Sequence, residues 1–339
     1  MGISLLLRQR HQPMYRALAR TIILSVALLI TIAFFTLVER KFLAYAQLRK
    51  GPNKPRLIGL PQPIADAIKL FTKEQIKPTI SNQFPFYIAP ILALILALRL
   101  GNLTPRPFSI LTTRFSAPLF SAIARLNVYA TLSAGWASNS KYALLGTVRA
   151  IAQTISYEVG ISLCMLIALV IIGSLRLTNS YTTISWPALI LPLLVPIWIA
   201  TILAETNRTP YDLVEGESEL VSGFNIEYRA GPFALIFIAE YTRIIAISIF
   251  TTALFSSRMR RVSLALKTVA LATLFLWMRA TLPRIRYDNL IYLMWLSFLP
   301  LTLAISMIYL AIFLILGGSL NKIHTLEVWD RLPSSPNSE

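Results

Sequence analysis

Two glutamates interrupt stretches of chain that are otherwise apolar. Glu158 lies about eight residues into the run Ile151 to Leu175, and Glu240 about nine residues into the run Pro232 to Phe255. At ~1.5 Å rise per helical residue both carboxyls fall ~10–13 Å from the same end of their helices, hence at similar depth. An acid held in such a place costs ~2.5–3.5 kcal/mol on insertion scales and usually serves a function. Kept from water and near a second carboxyl, it can load and release a proton near neutrality. The competing reading is an acid neutralised by one arginine, and Arg243, three residues after Glu240, is available.

A second concentration of acid lies between the fifth and sixth apolar runs. The segment Glu205 to Arg229 reads ETNRTPYDLVEGESELVSGFNIEYR and holds Glu205, Asp212, Glu215, Glu217, Glu219 and Glu227. Charges this dense repel unless paired, protonated or solvated. If the preceding helix continues, Glu205 and Arg208 are i,i+3 partners with Asp212 close enough to join them. The segment reads either as a solvated face or as a proton funnel leading toward Glu240. Around Glu39 the chain reads VERKFLAYAQLRKGPN, a charged knot in which Arg40, Arg49, Lys50 and Lys54 can meet headgroups or a docked protein. Phe42 and Tyr45 could flank a flat apolar ligand there, and a snorkelling cluster at the membrane edge fits the composition as well.

The elements that carry these groups follow from composition. The chain has 339 residues, 55% hydrophobic and 14% charged, with mean hydropathy +0.63. Soluble domains carry about 25% charge, and disorder needs low hydrophobicity, so lipid is the expected solvent. Eight runs approach the ~20 residues needed to cross a bilayer: Tyr15 to Val38, Phe84 to Leu100, Phe115 to Ala137, Ile151 to Leu175, Trp186 to Ala204, Pro232 to Phe255, Val262 to Ala280 and Leu290 to Leu316. Between the first two, Pro61 to Pro78 carries Ile64, Ile68 and Phe71 at helical spacing opposite Asp66, Lys69 and Lys73. That pattern predicts an amphipathic interfacial helix, with a solvated loop helix as the alternative. The expected fold is therefore an all-α polytopic membrane protein of eight transmembrane helices and one interfacial helix. Its parts are a basic extension at 1–14, a single domain at 15–316 containing an acidic loop at 205–231, and a polar tail at 317–339.

Net charge is +17. Because the basic residues lie between apolar runs, anionic phospholipid is the expected counter-surface and nucleic acid is not. Basic residues divide almost evenly between the two sides, so they do not orient the chain. The carboxylates do not divide evenly: twelve of fifteen fall on or near one side, which reads as a working surface. One cysteine, Cys164, and two terminal histidines, His11 and His324, supply no haem pair and no zinc or iron–sulfur ligand set. There is no GxGxxG and no Walker loop, so electrons and nucleotides must be carried by partners.

Several long strings narrow the reading. ERKFLAYAQLRKGPN (Glu39 to Asn53), QPIADAIKLFTKE (Gln62 to Glu74), GWASNSKYALLGTVRAIAQTISYEV (Gly135 to Val159), LAETNRTPYDLVEGESELVSGFNIEY (Leu203 to Tyr228), GPFALIFIAEY (Gly231 to Tyr241), RYDNLIYLMW (Arg286 to Trp295) and FLPLTLA (Phe298 to Ala304) resemble the chain-one family of NADH–ubiquinone oxidoreductases, mitochondrial type. That family supplies the complex I membrane subunit that joins the hydrophilic arm to the membrane arm. The resemblance implies an eight-helix bundle, ubiquinone as substrate, and residence in the mitochondrial inner membrane with the acidic loops toward the matrix.

It further implies that Arg40, Gln47, Arg49, Asp66, Phe233 and Phe237 line the quinone tunnel or its mouth. Glu39, Asp66, Arg149, Glu158, Glu205, Arg208, Asp212, Glu215, Glu217, Glu227, Glu240, Arg279, Arg286 and Asp288 match the charged path toward the antiporter-like subunits. Implied partners are the quinone-site and iron–sulfur subunits of the hydrophilic arm, small and antiporter-like membrane subunits, and phospholipid including cardiolipin. Iron–sulfur clusters, FMN and NADH stay in those partners, and no metal site is expected here. The outer side departs from the family in its basic residues Arg258, Arg260, Arg261 and Lys267 and in its tail. A stand-alone proton- or ion-coupled transporter and the membrane subunit of an energy-converting hydrogenase are the alternatives; the first should show paired repeats with broken helices, which are not evident.

Overall fold

The structure, a computed structural model, describes residues 2–54, 58–76, 78–104, 115–177, 187–212, 223–256 and 261–311, with side chains from residue 18 onward except those of 261 and 262. Glu215, Glu217, Glu219, Arg258, Arg260 and the C-terminal tail lie outside the described residues. Every regular element among the described residues is helical. The helices are α1 (Gly2–Ala46), α2 (Gln62–Thr72), α3 (Gln83–Leu103), α4 (Ser116–Ser138), α5 (Lys141–Ile172), α6 (Leu194–Glu205), α7 (Ala230–Phe255), α8 (Arg261–Thr281) and α9 (Tyr287–Ala311). In hydrocarbon a backbone must satisfy its own hydrogen bonds, which leaves apolar runs of this length no alternative to helix.

Six helices are long and apolar enough to cross a membrane, within α1, α3, α5, α7, α8 and α9. The other two expected crossings depart from simple spans for different reasons. α4 has 23 residues, but Arg125, Asn127 and its serines and threonines keep it below the apolarity of the six. The run expected as one helix from Trp186 to Ala204 is broken at Pro192: a single helical turn, Pro187–Ile190, is followed by the 12-residue α6. Proline lacks the amide hydrogen that the turn before it would need, whereas Pro196 sits in the first turn of α6, where that hydrogen has no partner anyway.

α7 is the central helix, packed against α3, α8 and α1, while α3 also lies along α4 and α4 along α5. Small residues let these backbones approach. A Cβ at Gly146 of α5 would meet the backbone of Gly223 at 3.1 Å, so that glycine seats the 3₁₀ turn Gly223–Asn225 against α5. α5 stops at Gly173, whose φ of +71° places its amide on the Leu169 and Val170 carbonyls. The main core runs through α3 to α7 and α9, with Tyr157, Trp198, Phe120 and Phe250 at its centre. α2 leaves Ile64, Ile68 and Phe71 exposed along one side. In α9 the stretch Leu293–Phe298 is π-helical, and Met294 there reaches the space that the absent side chain of Gly160 leaves on α5.

Candidate functional site

The charged residues converge from distant parts of the chain. Glu39, near the end of α1 and 3% exposed, accepts hydrogen bonds from Arg208 at 2.9 Å and from Arg279 of α8. Arg208 also lies with its guanidinium carbon 4.7 Å from the centre of the Tyr241 ring. Burial is the largest single influence and works against the Arg208 charge, but Glu39, Tyr241 and Glu240 together outweigh it, so this guanidinium holds its proton more tightly than an ordinary arginine. The pair expected between Glu205 and Arg208 does not form. α6 ends at Glu205, the chain turns through Thr206 and Asn207, the latter at φ +51°, and Arg208 is sent to Glu39 instead. Asp212 likewise turns to Arg284, at 3.2 Å.

One residue the sequence reading passed over holds this turn in place. Gln153 of α5 is fully buried, and its Nε2 donates to the carbonyls of Ala204 at 3.1 Å and Tyr211 at 2.9 Å. A lone amide inside an apolar helix was the available signal. Gln153→Leu is expected to cost about 1–3 kcal/mol, because the Tyr211 carbonyl loses its donor in a buried place. Faster proteolytic nicking of the segment after α6 would register the loss; an unchanged rate would show that the turn holds without it. Tyr211 and Tyr228 nearby are held in their neutral form by burial, and the Tyr228 hydroxyl donates to the Ala134 carbonyl at 3.2 Å.

At the edge of this knot Arg40 donates to Asp66 of α2 at 2.5 Å, and Gln62 to the same carboxylate at 2.9 Å. Arg49 donates to Gln47 at 2.9 Å in the exposed turn after α1. On α7 the rings of Phe233 and Phe237 lie 4.5 Å apart, those of Phe237 and Tyr241 6.4 Å, and Phe35 of α1 meets Tyr241 at 6.0 Å. This row of rings ends at Arg208 and Glu39.

Deeper in the bundle the carboxyls fall into two cavities. One, of about 50 Å³, is lined by Glu158 of α5, Glu205 of α6, Trp198 and Arg125 of α4, and Arg125 pairs with Glu158. The other, of about 10 Å³, is lined by Glu240 and Arg243 of α7 and by Asn127 of α4. Glu158 and Glu240, expected at one depth, thus open into separate cavities, and the carboxyl that shares a cavity with Glu158 is Glu205. With its amide oxygen turned toward α7, Asn127 accepts from both terminal nitrogens of Arg243 at 3.0 and 2.8 Å.

The remaining expected residues are more peripheral. Arg149 of α5 is half-buried and acts on Tyr287 of α9. Glu227 is half-buried in the turn before α7. Arg286 and Asp288 pair at 3.1 Å on the surface. Cys164 is buried, and no three His, Cys, Asp or Glu side chains among the described residues group as metal ligands.

Comparison with known proteins places the sequence in a family. A family model described as NADH dehydrogenase matches residues 19–310. The chain is 49% identical over 304 residues to NADH-ubiquinone oxidoreductase chain 1 of Danio rerio, covering 87% of this chain and 94% of that protein. It is 51% identical over 303 residues to the protein of that name from Phyllostomus elongatus, at 86% and 95% coverage. It is 48% identical over 318 residues to that from Lampetra fluviatilis, at 89% and 97%. On this match, which spans nearly all the helices and the knot they enclose, the chain belongs to the NADH dehydrogenase family that includes the NADH-ubiquinone oxidoreductase chain 1 proteins.

Proposed function

We propose that this chain is a core membrane subunit of respiratory complex I, the proton-translocating NADH:ubiquinone oxidoreductase, in the mitochondrial inner membrane with its acidic loops toward the matrix. Its eight crossings are the six long apolar helices plus α4 and the Pro192-broken segment that ends in α6. They form one domain over 15–316, between a basic extension at 1–14 and a polar tail at 317–339. α2 lies in the membrane interface with Ile64, Ile68 and Phe71 toward lipid.

Ubiquinone is the substrate, reduced by electrons that partner subunits carry on FMN and iron–sulfur clusters. This chain's lone buried cysteine does not fit such a cluster. Arg40, Gln47, Arg49 and Asp66 form the mouth of the quinone tunnel, and Phe233 and Phe237 part of its wall. Reduction changes the charge at the Glu39, Arg208 and Arg279 knot. The segment after α6, with Asp212, Glu215, Glu217 and Glu227, responds and alters the protonation of Glu205, Glu158 and Glu240. Arg149, Arg286 and Asp288 complete the charged face. Other membrane subunits and phospholipid, including cardiolipin on the basic outer side, surround the chain.

The observation that carries this reading is the convergence of Arg208 and Arg279 on a buried carboxylate at the end of an aromatic row on α7. Glu240→Gln in the intact assembly tests the path. Assembly should be retained while proton-coupled quinone reduction falls about a hundredfold or more, the scale of a lost proton-transfer group. Full coupled activity in that variant would remove Glu240 from the path.

A further inference from the structure

A charged pair far from either end of its helices lies on the outside of the bundle. Arg125 comes nine residues after Ser116 and thirteen before Ser138 on α4, about 14 and 20 Å from the two ends at ~1.5 Å per residue. Its side chain is nonetheless 49% exposed, and that of its partner Glu158, near the middle of α5, is 27% exposed. Tyr129, one turn along the same side of α4 and just as central, is 67% exposed. Arginines and tyrosines in membrane helices ordinarily sit near the ends, where they reach the headgroups. Neither does so here.

A guanidinium carries several N–H donors in a rigid fork. Nε of Arg125 serves Glu158, and among the described residues neither its terminal nitrogens nor the Tyr129 hydroxyl donates to an acceptor. Hydrocarbon offers none, so lipid against this face would strand these donors where that is most costly. The surround is apolar. Leu132 and Trp136 extend the line of Arg125 and Tyr129 along α4, and Val148, Ile155 and Val159 are exposed on α5 on the side of Glu158. Arg125 and Glu158, with the half-buried Ser121 and Ser162, also line the cavity that holds Glu205, so whatever covers this face closes that cavity from outside.

We propose that the α4–α5 face centred on Arg125 and Tyr129 is the docking surface for a transmembrane helix of another membrane subunit, which presents hydrogen-bond acceptors to both residues. The inference rests on the membrane-subunit reading above and adds the face and the chemistry of the partner. The acceptor is a side-chain carboxylate, amide or hydroxyl, because the partner's backbone carbonyls are occupied within its own helix. A phospholipid keeps its acceptors at headgroup level, beyond the reach of these residues. A second copy of this chain docked about a two-fold axis here would set Arg125 against Arg125, donor against donor and cation against cation. Complementarity therefore selects a different chain.

The test is photo-crosslinking in the purified intact assembly with Tyr129 replaced by p-benzoylphenylalanine, a change that leaves Arg125 in place. Illumination should join position 129 to one peptide of another membrane subunit, within about one helical turn of an Asp, Glu, Asn, Gln, Ser or Thr. Adducts with phospholipid, with a second copy of this chain, with its own residues 312–339, or with a helix lacking such an acceptor overturn the proposal. Arg125→Leu should then raise the loss of the cross-linked subunit in mild detergent about tenfold, the scale of one hydrogen bond to a charged group. Arg125→Lys, which keeps a donor, should raise it less. Parent-like retention in Arg125→Leu also overturns the proposal. The membrane-subunit reading fails separately, if the parent chain runs outside any large particle on native electrophoresis.

Discussion

Replacing Glu39 with alanine should lower the stability of the assembled protein by about 3–5 kcal/mol, the range seen when one partner of a buried ion pair is removed. The reason lies in what stays behind. Arg208 and Arg279 are brought to Glu39 from 169 and 240 residues away, and among the described residues no other carboxylate forms an ion pair with either of them. Without Glu39, Arg208 keeps its contacts with Tyr241 and the more distant attraction of Glu240, and a cation–π contact is worth ~0.5–2 kcal/mol. Arg279, about one-third exposed, can turn toward water; Arg208, at 16%, cannot do so readily. Glu39→Gln, which keeps an acceptor but not the charge, should fall between parent and alanine variant. The denaturation midpoint of the intact assembly measures this, and added salt should change it little because the pair is shielded from the bulk. A Glu39→Ala protein as stable as its parent would show that the arginines are held by other means.

Trp198→Ala should be comparably damaging, at about 3–5 kcal/mol. Trp198 is 1% exposed, lies 5.4 Å from the Phe255 ring and 6.3 Å from that of Phe250, and forms part of the wall beside Glu158 and Glu205. Truncation joins the emptied volume to the cavity that already holds charge. Water can then enter beside the carboxyls, and proton-coupled turnover should fall more than stability alone accounts for. Trp198→Phe should recover most of both, because it keeps an aromatic ring and gives up only part of the buried volume and the indole bond to the Thr251 hydroxyl at 3.3 Å, and that hydroxyl still donates to the Ile247 carbonyl at 2.8 Å. If Trp198→Ala and Trp198→Phe unfold alike, the ring's volume is not what α6 and α7 need.

Much of the helical layout could be read directly from residue patterns. Hydrocarbon forces apolar runs to be helices, and the runs before Glu39, around Glu158 and before Phe255 became α1, α5 and α7 for that reason. Proline placement also carried information that hydropathy counting overrode: Pro192 sits inside a run apolar enough to count as one span and divides it. Arg125 and Asn127 went unnoticed within an expected span because a window average dilutes two polar residues, although they set the polarity of α4 and the chemistry of both cavities. Gln153 was missed for the same reason.

What the linear order of residues determined by itself was which segments are helical. That outcome depends on local propensity and on the cost of exposing polar groups to lipid, both of which act residue by residue. Partnership was decided only on folding. Arg208 pairs with Glu39 rather than its near neighbour Glu205, and Glu158 shares space with Glu205 rather than Glu240, because Coulomb energy depends on distance through space, and that distance is set by how α1, α5, α6, α7 and α8 pack.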